Sequence, residues 1–455
     1  MGFQKYTLAV IVLAPIIAYL GIKFHETNET PKLELEYWGP GEEKIDDKTI
    51  KPFKISFQSS ELKELKEKLD KPRSFTPPLE GIGFEYGINT DYLKDILQFW
   101  RTKYNWTERE TYLNSFPQFT TQIGGLNIHF LHAKVDPVKS KGKQVLPLIV
   151  LHGWPGAVRE FYNLIPLLTT PQPDSNFVFE VVIPSLPGHT FSQGASKPGL
   201  APAKIAVLFN ELMSRLGHDK YYVHGGDWGS VIGNNMAILN PDKVLGYHST
   251  FCLASNFQSR IRTLVAYLFP RFFVDESLQE QYVKQFANFY LLEGGYLHIQ
   301  STKPDTIGVA MNDSPTGLAA YILEKFSTWT NKNWRSLPNG GLDNLNKVEL
   351  IDHIMLYWLT KSITTSMRIY KENFSGEYMS LGIEKNINTV PSACAWFKNE
   401  LLYFPKFVLK AAYKNLVQIS HFPKGGHFSA YEEPELVADD IWKFVKTLNT
   451  AKSAN

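Results

Sequence analysis

Cysteine is nearly absent from this chain: Cys252 and Cys394 are the only two in 455 residues. Two thiols far apart in sequence are too few for a disulfide framework or a cysteine metal centre. They fit a reduced, cytosol-facing protein in which Cys394, inside an apolar run, packs in a core. An excess of one charge is missing as well. Lys and Arg number 47 against 45 Asp and Glu, a formal net charge of +2, so nothing in the balance calls for nucleic acid as a partner. Internal repeats and low-complexity tracts are absent, which sets aside solenoid and fibrous architectures. What is present is ordinary for a globular protein: 44% hydrophobic and 20% charged residues, with length for a large core and one to three domains.

One long uncharged apolar run stands out, residues 7–22, bracketed by Lys5 and Lys23. A helix rising about 1.5 Å per residue would just cross a hydrocarbon layer of roughly 30 Å if the lysines snorkel. No small-x-small cleavage site follows Ile22, so the run reads as an uncleaved membrane anchor rather than a signal peptide. A single lysine on each side leaves its orientation open. Residues 25–50 form a polar linker with a Tyr37-Trp38-Gly39-Pro40-Gly41 knot that packs down on the rest. Amphipathic helices follow at 59–69, with Leu62, Leu65 and Leu69 on one face, and at 92–104. Asn28, Asn105 and Asn373 begin glycosylation triplets that matter only in a luminal domain.

Strands are predicted at 126–132, 146–152, 177–183, 220–224 and 244–249, alternating with helices at 158–169, 202–216 and 230–240. Uninterrupted apolar strands between helices mean a parallel sheet covered on both faces, an α/β fold. From 251 to 387 the pattern is aromatic and helical. Sheet then resumes at 388–396 and 416–421, ahead of a helix at 433–447, so the helical stretch reads as a lid inserted into the sheet. The expected organisation is an anchor (1–24), an N-terminal extension (25–125), a core in two parts (126–250 and 388–455) and a lid (251–387).

The chemistry gathers around Asp227. Gly225, Gly226 and Gly229 crowd it between a strand and a helix, and the turn resembles a nucleophile elbow with Asp in place of Ser. The plainer alternative is an Asp that caps the helix. A carboxylate nucleophile attacks carbon and leaves an alkyl ester for water to cleave. Active groups of such sheets sit at the carboxyl ends of strands. One such end gives His152-Gly-Trp-Pro-Gly156, where the N–H groups of Trp154 and Trp228 are candidates for an oxyanion hole; His152 and Trp154 also read as ordinary turn residues. Another gives His427, after Gly425 and Gly426, in the chain order expected of a hydrolase base. An imidazole with a pKa near about 6.5 removes a proton from water at neutral pH. His421, alternating within its strand, is expected to be packed. Glu400, just past a strand end, is the candidate to orient His427, with Asp352 and Glu293 as less well placed substitutes. Tyr296 and Tyr370 could donate to a developing alkoxide, since a phenol of pKa about 10 stays protonated at neutral pH. With 22 tyrosines, no spacing argument selects these two.

Taken together, His152-Gly-Trp-Pro-Gly156, Gly225-Gly-Asp-Trp-Gly229, Gly295-Tyr-Leu-His-Ile-Gln-Ser-Thr-Lys-Pro-Asp305, Glu324-Lys-Phe-Ser-Thr-Trp-Thr-Asn331 and Gly425-Gly-His-Phe-Ser-Ala-Tyr-Glu-Glu-Pro-Glu435 resemble the microsomal epoxide hydrolase family, most of all its insect juvenile hormone branch. The likeness covers nearly the entire chain. It implies an α/β-hydrolase fold with a helical lid, an N-terminal extension and an N-terminal transmembrane helix. It also implies Asp227 as nucleophile, His427 as base, Glu400 as its partner, and Tyr296 and Tyr370 as proton donors. Further implied are no cofactor, a small lipophilic epoxide as substrate, and an endoplasmic reticulum anchor with a cytosolic catalytic domain. Ser185-Leu-Pro-Gly-His-Thr-Phe-Ser192 departs from the family pattern at His189 and Thr190 and leaves the triad untouched. Two rivals remain: a haloalkane dehalogenase, which needs no paired phenols, and a non-catalytic binder of hydrophobic ligands.

Overall fold

The structure is a computed structural model that describes residues 29–453 apart from Pro72 and Lys141. Its centre is a nine-stranded sheet: β1 (Lys51–Phe53), β2 (Gln118–Ile123), β3 (Leu126–Ala133), β4 (Gln144–Leu151), β5 (Phe177–Pro184), β6 (Tyr221–Gly225), β7 (Val244–Ser249), β8 (Ser392–Phe397) and β9 (Leu416–Phe422). They lie in the order β1-β2-β3-β5-β4-β6-β7-β8-β9. Pairing is antiparallel from β1 to β5 and parallel from β5 to β9.

The apolar strands alternate their side chains between two cores. Leu148 and Val150 of β4 join Val181 and Ile183 of β5 on one face, under the C-terminal helix Pro434–Ser453 with Val437, Ile441 and Val445. Ile149 and Leu151 join Val182 on the other, against the helices Pro202–Arg215 and Asp227–Leu239. Each fully buried Val, Leu or Ile contributes about 1.5–3 kcal/mol relative to exposure, and both faces are fixed at once. The central strands therefore cannot slip by a residue without breaking both cores.

Between Ser249 and Ser392 no strand interrupts the helices among the described residues. The N-terminal helix Ser59–Asp70 packs on the lid helix Pro315–Thr328. Trp38, in the knot ahead of it, is buried and donates its backbone N–H to the Gly124 carbonyl at 2.7 Å.

Several expectations shift. The helix predicted over 158–169 divides into Val158–Phe161 and Leu164–Thr169, since Pro166 is tolerated only in a first helical turn. The strand predicted from 388 starts at Ser392, after Pro391, which has no N–H for a ladder. Short β1 and β2 extend the sheet beyond what alternation signalled. His421 is exposed rather than packed, because β9 is an edge strand. Cys252 and Cys394 are joined in a disulfide that ties the chain just after β7 to β8 across the whole lid insertion, so the expectation of two reduced, separate thiols is corrected. The predicted anchor at 7–22 and Asn28 lie outside the described residues. Among the described ones no helix is long and apolar enough to cross a membrane. Asn105 caps the helix Trp106–Leu113 through its side chain.

Candidate active site

Asp227 stands where β6 ends and a helix begins. The helix takes Gly226 as its N-cap, with no side-chain cap bond, so the carboxylate is not spent on capping. Its backbone φ is +47°, a left-handed conformation that costs a non-glycine residue about 1–3 kcal/mol and persists only where its surroundings enforce it. Glycines provide the room. A Cβ on Gly229 would overlap the Leu151 carbonyl, and one on Gly153 would overlap the Asp227 carboxylate itself. The strained turn thus tips the side chain toward the ends of β4 and β9.

There Oδ1 accepts a hydrogen bond from the Trp154 N–H at 2.8 Å. Trp154 begins the cis Trp154–Pro155 bond, in a loop held in turn by His152. Its Nδ1 donates to the Gly153 carbonyl at 2.9 Å and its Nε2 accepts from the Leu186 N–H at 3.0 Å. Burial pushes this ring's pKa down to about 4, so it stays neutral and works as a brace. The second expected donor, the Trp228 N–H, makes no hydrogen bond to the carboxylate; among the described residues Trp154 supplies its one backbone donor.

Oδ2 of Asp227 lies 3.2 Å from His427 Nε2, and His427 Nδ1 lies 2.6 Å from Glu400 Oε1. His427 sits on the loop after β9, its own N–H donating to the Trp329 carbonyl of the lid at 3.0 Å, with the Trp329 and Phe251 rings edge-on to the imidazole. Burial works against the charged ring, but the carboxylates of Glu400 and Asp227 outweigh it and hold its pKa well above the ordinary value. Glu400 follows β8 by three residues and is held by the Leu401 N–H at 2.6 Å. The two substitute acids are engaged elsewhere. Asp352 pairs with Arg109 at 2.6 Å and Arg159 at 3.1 Å and accepts from the Tyr104 hydroxyl, while Glu293 pairs with Arg335.

The lid brings both expected phenols over the carboxylate. Tyr296 comes from the helix Gly295–Thr302 and Tyr370 from Ile363–Asn373, their ring centroids 5.9 Å apart and nearly perpendicular. Trp154 stacks on Tyr296 and Trp228 meets Tyr370 edge-on. The Tyr370 hydroxyl is buried and has no hydrogen-bond partner. Burial first, and the Asp227 charge second, hold both phenols protonated well above their usual range. From this point a cavity of about 610 Å³ opens between sheet and lid, lined by Trp228, Phe289, Leu297, Met379 and Leu402 among others, a size and polarity suited to a small lipophilic ligand.

One buried acid escaped the sequence reading. Glu160 lies within Val158–Phe161, its carboxyl against Gly156, and burial pushes its pKa up to about 8, with Asp227 adding to the rise and His427 and the Ala157 amide opposing it. The available signal was a charged pair, Arg159-Glu160, inside an otherwise apolar segment; Arg159 answers to Asp352, and Glu160 has no such cation.

Sheet order, elbow and histidine loop define the α/β-hydrolase class. The model for the alpha/beta hydrolase fold matches residues 147–434, and that for the epoxide hydrolase N terminus matches 50–161. Juvenile hormone epoxide hydrolase 1 of Ctenocephalides felis is 48% identical over 96% of this chain and 95% of its own. Epoxide hydrolase 1 of Oryctolagus cuniculus is 42% identical over 96% of this chain and 98% of its own. The crystal structure of juvenile hormone epoxide hydrolase from the silkworm Bombyx mori superposes with a TM-score of 0.88 at 47% identity, covering 92% of this chain and 99% of that one. The chain belongs to the epoxide hydrolase family.

Proposed function

We propose that the chain hydrolyses a lipophilic epoxide to a diol through an ester on Asp227. The observation that carries this reading is the Asp227 carboxylate, with Oδ1 on the Trp154 N–H, Oδ2 beside His427, and two buried phenols above it. Oδ2 attacks an epoxide carbon, the ring C–O bond breaks, and Tyr296 and Tyr370 hydrogen-bond the departing oxygen, one of them delivering its proton. Esterification removes the Asp227 charge, one of the two carboxylates that keep His427 protonated. The His427 pKa falls, the imidazolium passes its proton to the tyrosinate left by ring opening, and the neutral imidazole can then take a proton from water, with Glu400 balancing the charge that returns. Water adds to Cγ, and the oxyanion forms on Oδ1 under the Trp154 N–H. That oxygen is displaced from its ground-state position, and the Trp228 amide at the helix N-terminus is the second donor for it. Collapse expels the diol.

The aromatic cavity of about 610 Å³ and relatives named for juvenile hormone support a terpenoid hormone epoxide or related foreign epoxides as substrates. Residues 1–24 serve as an endoplasmic reticulum anchor, supported by the uncharged run 7–22. The cytosolic placement of the catalytic part rests on the family resemblance alone, since the Cys252–Cys394 disulfide removes the support that reduced thiols gave it; the extension 25–125 and the lid 251–387 pack on a core formed by 126–250 and 388–455. A panel of juvenile-hormone-like ester epoxides against styrene-type epoxides tests the reading. A higher kcat/KM for the hormone-like esters is expected; no diol from any epoxide would overturn it.

A further inference from the structure

Beside the large cavity lies a second, small one of about 20 Å³, walled by Asp227, His427, Glu160, Gly156, Thr250 and Phe428 among others. One water needs at least about 10–15 Å³ of such space and two to four polar partners. The size admits a single molecule, and two polar side chains of this wall, His427 and Glu160, can serve it.

The His427 ring makes one of these partners available. Its Nε2 is buried and close enough to Asp227 for an ion pair, yet it is off the line of a hydrogen bond to that carboxylate and has no other partner. Glu160 makes the second. Its carboxyl is buried and sits where a side chain on Gly156 would have to be, so glycine at 156 is what lets the Glu160 carboxyl occupy this position. Arg159 is turned to Glu349 and Asp352 at 2.8 and 3.1 Å, which leaves the His427 ring and the Ala157 amide as the groups that favour charge on the Glu160 carboxyl. The Ala157 amide serves one side of this carboxyl, and its remaining oxygen lone pairs are free to accept from a further polar group.

We propose that the small cavity is the seat of the hydrolytic water and that Glu160 holds that water in place. This rests on the aspartyl-ester reading. The water gives one hydrogen to His427 Nε2 and hydrogen-bonds through the other to a Glu160 carboxyl oxygen, which leaves a lone pair directed at Asp227 Cγ. The new O–Cγ bond forms as the carbonyl electron pair moves to Oδ1, and the proton passes to His427. Collapse then breaks the Cγ–O bond to the substrate, and the departing alkoxide takes the proton back. Glu160 accepts a hydrogen bond throughout and neither gains nor loses a proton. A carboxyl that burial keeps neutral suits this role, because a second negative charge would oppose the oxyanion forming next to it.

The test separates the two chemical steps. Ester formation and ester hydrolysis are timed by quenching the full chain with styrene oxide and weighing the intact protein, for the unaltered enzyme and for His427→Gln, Glu160→Leu and Glu160→Gln. Should the Leu side chain not be accommodated, Glu160→Ala carries the same comparison. Glu160→Leu is expected to slow ester hydrolysis by about 10²-fold, the cost of a misplaced reactant, while ester formation stays near the unaltered rate, so that esterified protein accumulates. Glu160→Gln, whose amide oxygen also accepts from water, is expected to restore most of the hydrolysis rate. Hydrolysis unchanged in Glu160→Leu, both steps slowed in parallel, or no rescue by Gln overturns the assignment, while an ester trapped in His427→Gln keeps the aspartyl route standing. No ester in any variant removes that route and the inference with it.

Discussion

The imidazole of His427 and the carboxylate of Glu400 meet at 2.6 Å with both side chains almost wholly buried. In that setting the acid fixes which ring nitrogen carries the proton and stabilises the imidazolium once it forms. Glu400→Gln keeps the shape and removes the charge. It is expected to slow ester hydrolysis by about 10²–10⁴-fold, with a much smaller effect on ester formation, measured by rapid quench.

The same pairing sets a pH dependence of stability. The His427 pKa is raised in the folded chain relative to about 6.5 when unfolded. Its contribution is therefore fully present below about pH 6.5 and is lost as pH rises through the folded value. Urea unfolding of the enzyme and of His427→Gln should show the largest stability gap in mildly acidic buffer and a shrinking gap toward alkaline pH. A gap that widened with pH would contradict the sign.

Tyr370 separates stability from catalysis. Its buried hydroxyl faces the Trp228 indole N–H without the alignment of a hydrogen bond, so Tyr370→Phe removes little and is expected to leave the melting temperature unchanged or slightly raised. Ester formation should nonetheless fall by about 10–10²-fold for the loss of one donor to the developing alkoxide, and the double change with Tyr296→Phe should abolish it. Because burial and Asp227 hold both phenols protonated, ionisation of these tyrosines should not produce an alkaline limb in the rate profile between neutral pH and about 10.

Asp352 tests whether the ion-pair cluster under the lid is structural. It binds Arg109 from the N-terminal extension and Arg159 from the loop after β4 while itself belonging to a lid helix. Asp352→Asn leaves Arg109 without its anion and the buried Arg159 with Glu349 as its remaining one, and is expected to lower stability by about 3–5 kcal/mol in denaturant unfolding. The ratio of ester hydrolysis to ester formation should stay as it was. A selective loss of hydrolysis would reopen Asp352 as the orienting acid.

What could be read from the sequence follows from how local each signal is. The central strands and Asp227 were legible because buried parallel strands are continuous apolar runs and a crowded elbow demands glycines at fixed positions. Glu400 was placed by its offset from a strand end, and the structure brings it to His427. Tyr296 and Tyr370 were chosen by resemblance alone, since nothing in a single sequence says which of many tyrosines a lid turns inward. The Cys252–Cys394 pairing was missed because only the sheet brings β7 and β8 side by side across the intervening lid. His421 was misjudged because alternation reports two faces of a strand but not whether that strand lies at an edge. Glu160 was passed over for a related reason: a charge in an apolar helical segment looks solvated until the fold closes over it.

The central claim is that a carboxylate oxygen of Asp227 is transferred to the product. Single-turnover hydrolysis in oxygen-18 water, with enzyme in excess over an epoxide, tests it most directly. The first diol is expected to carry an unlabelled oxygen taken from Asp227, with the label entering the protein at that residue. Labelled diol in the first turnover, with no label in the protein, would contradict it.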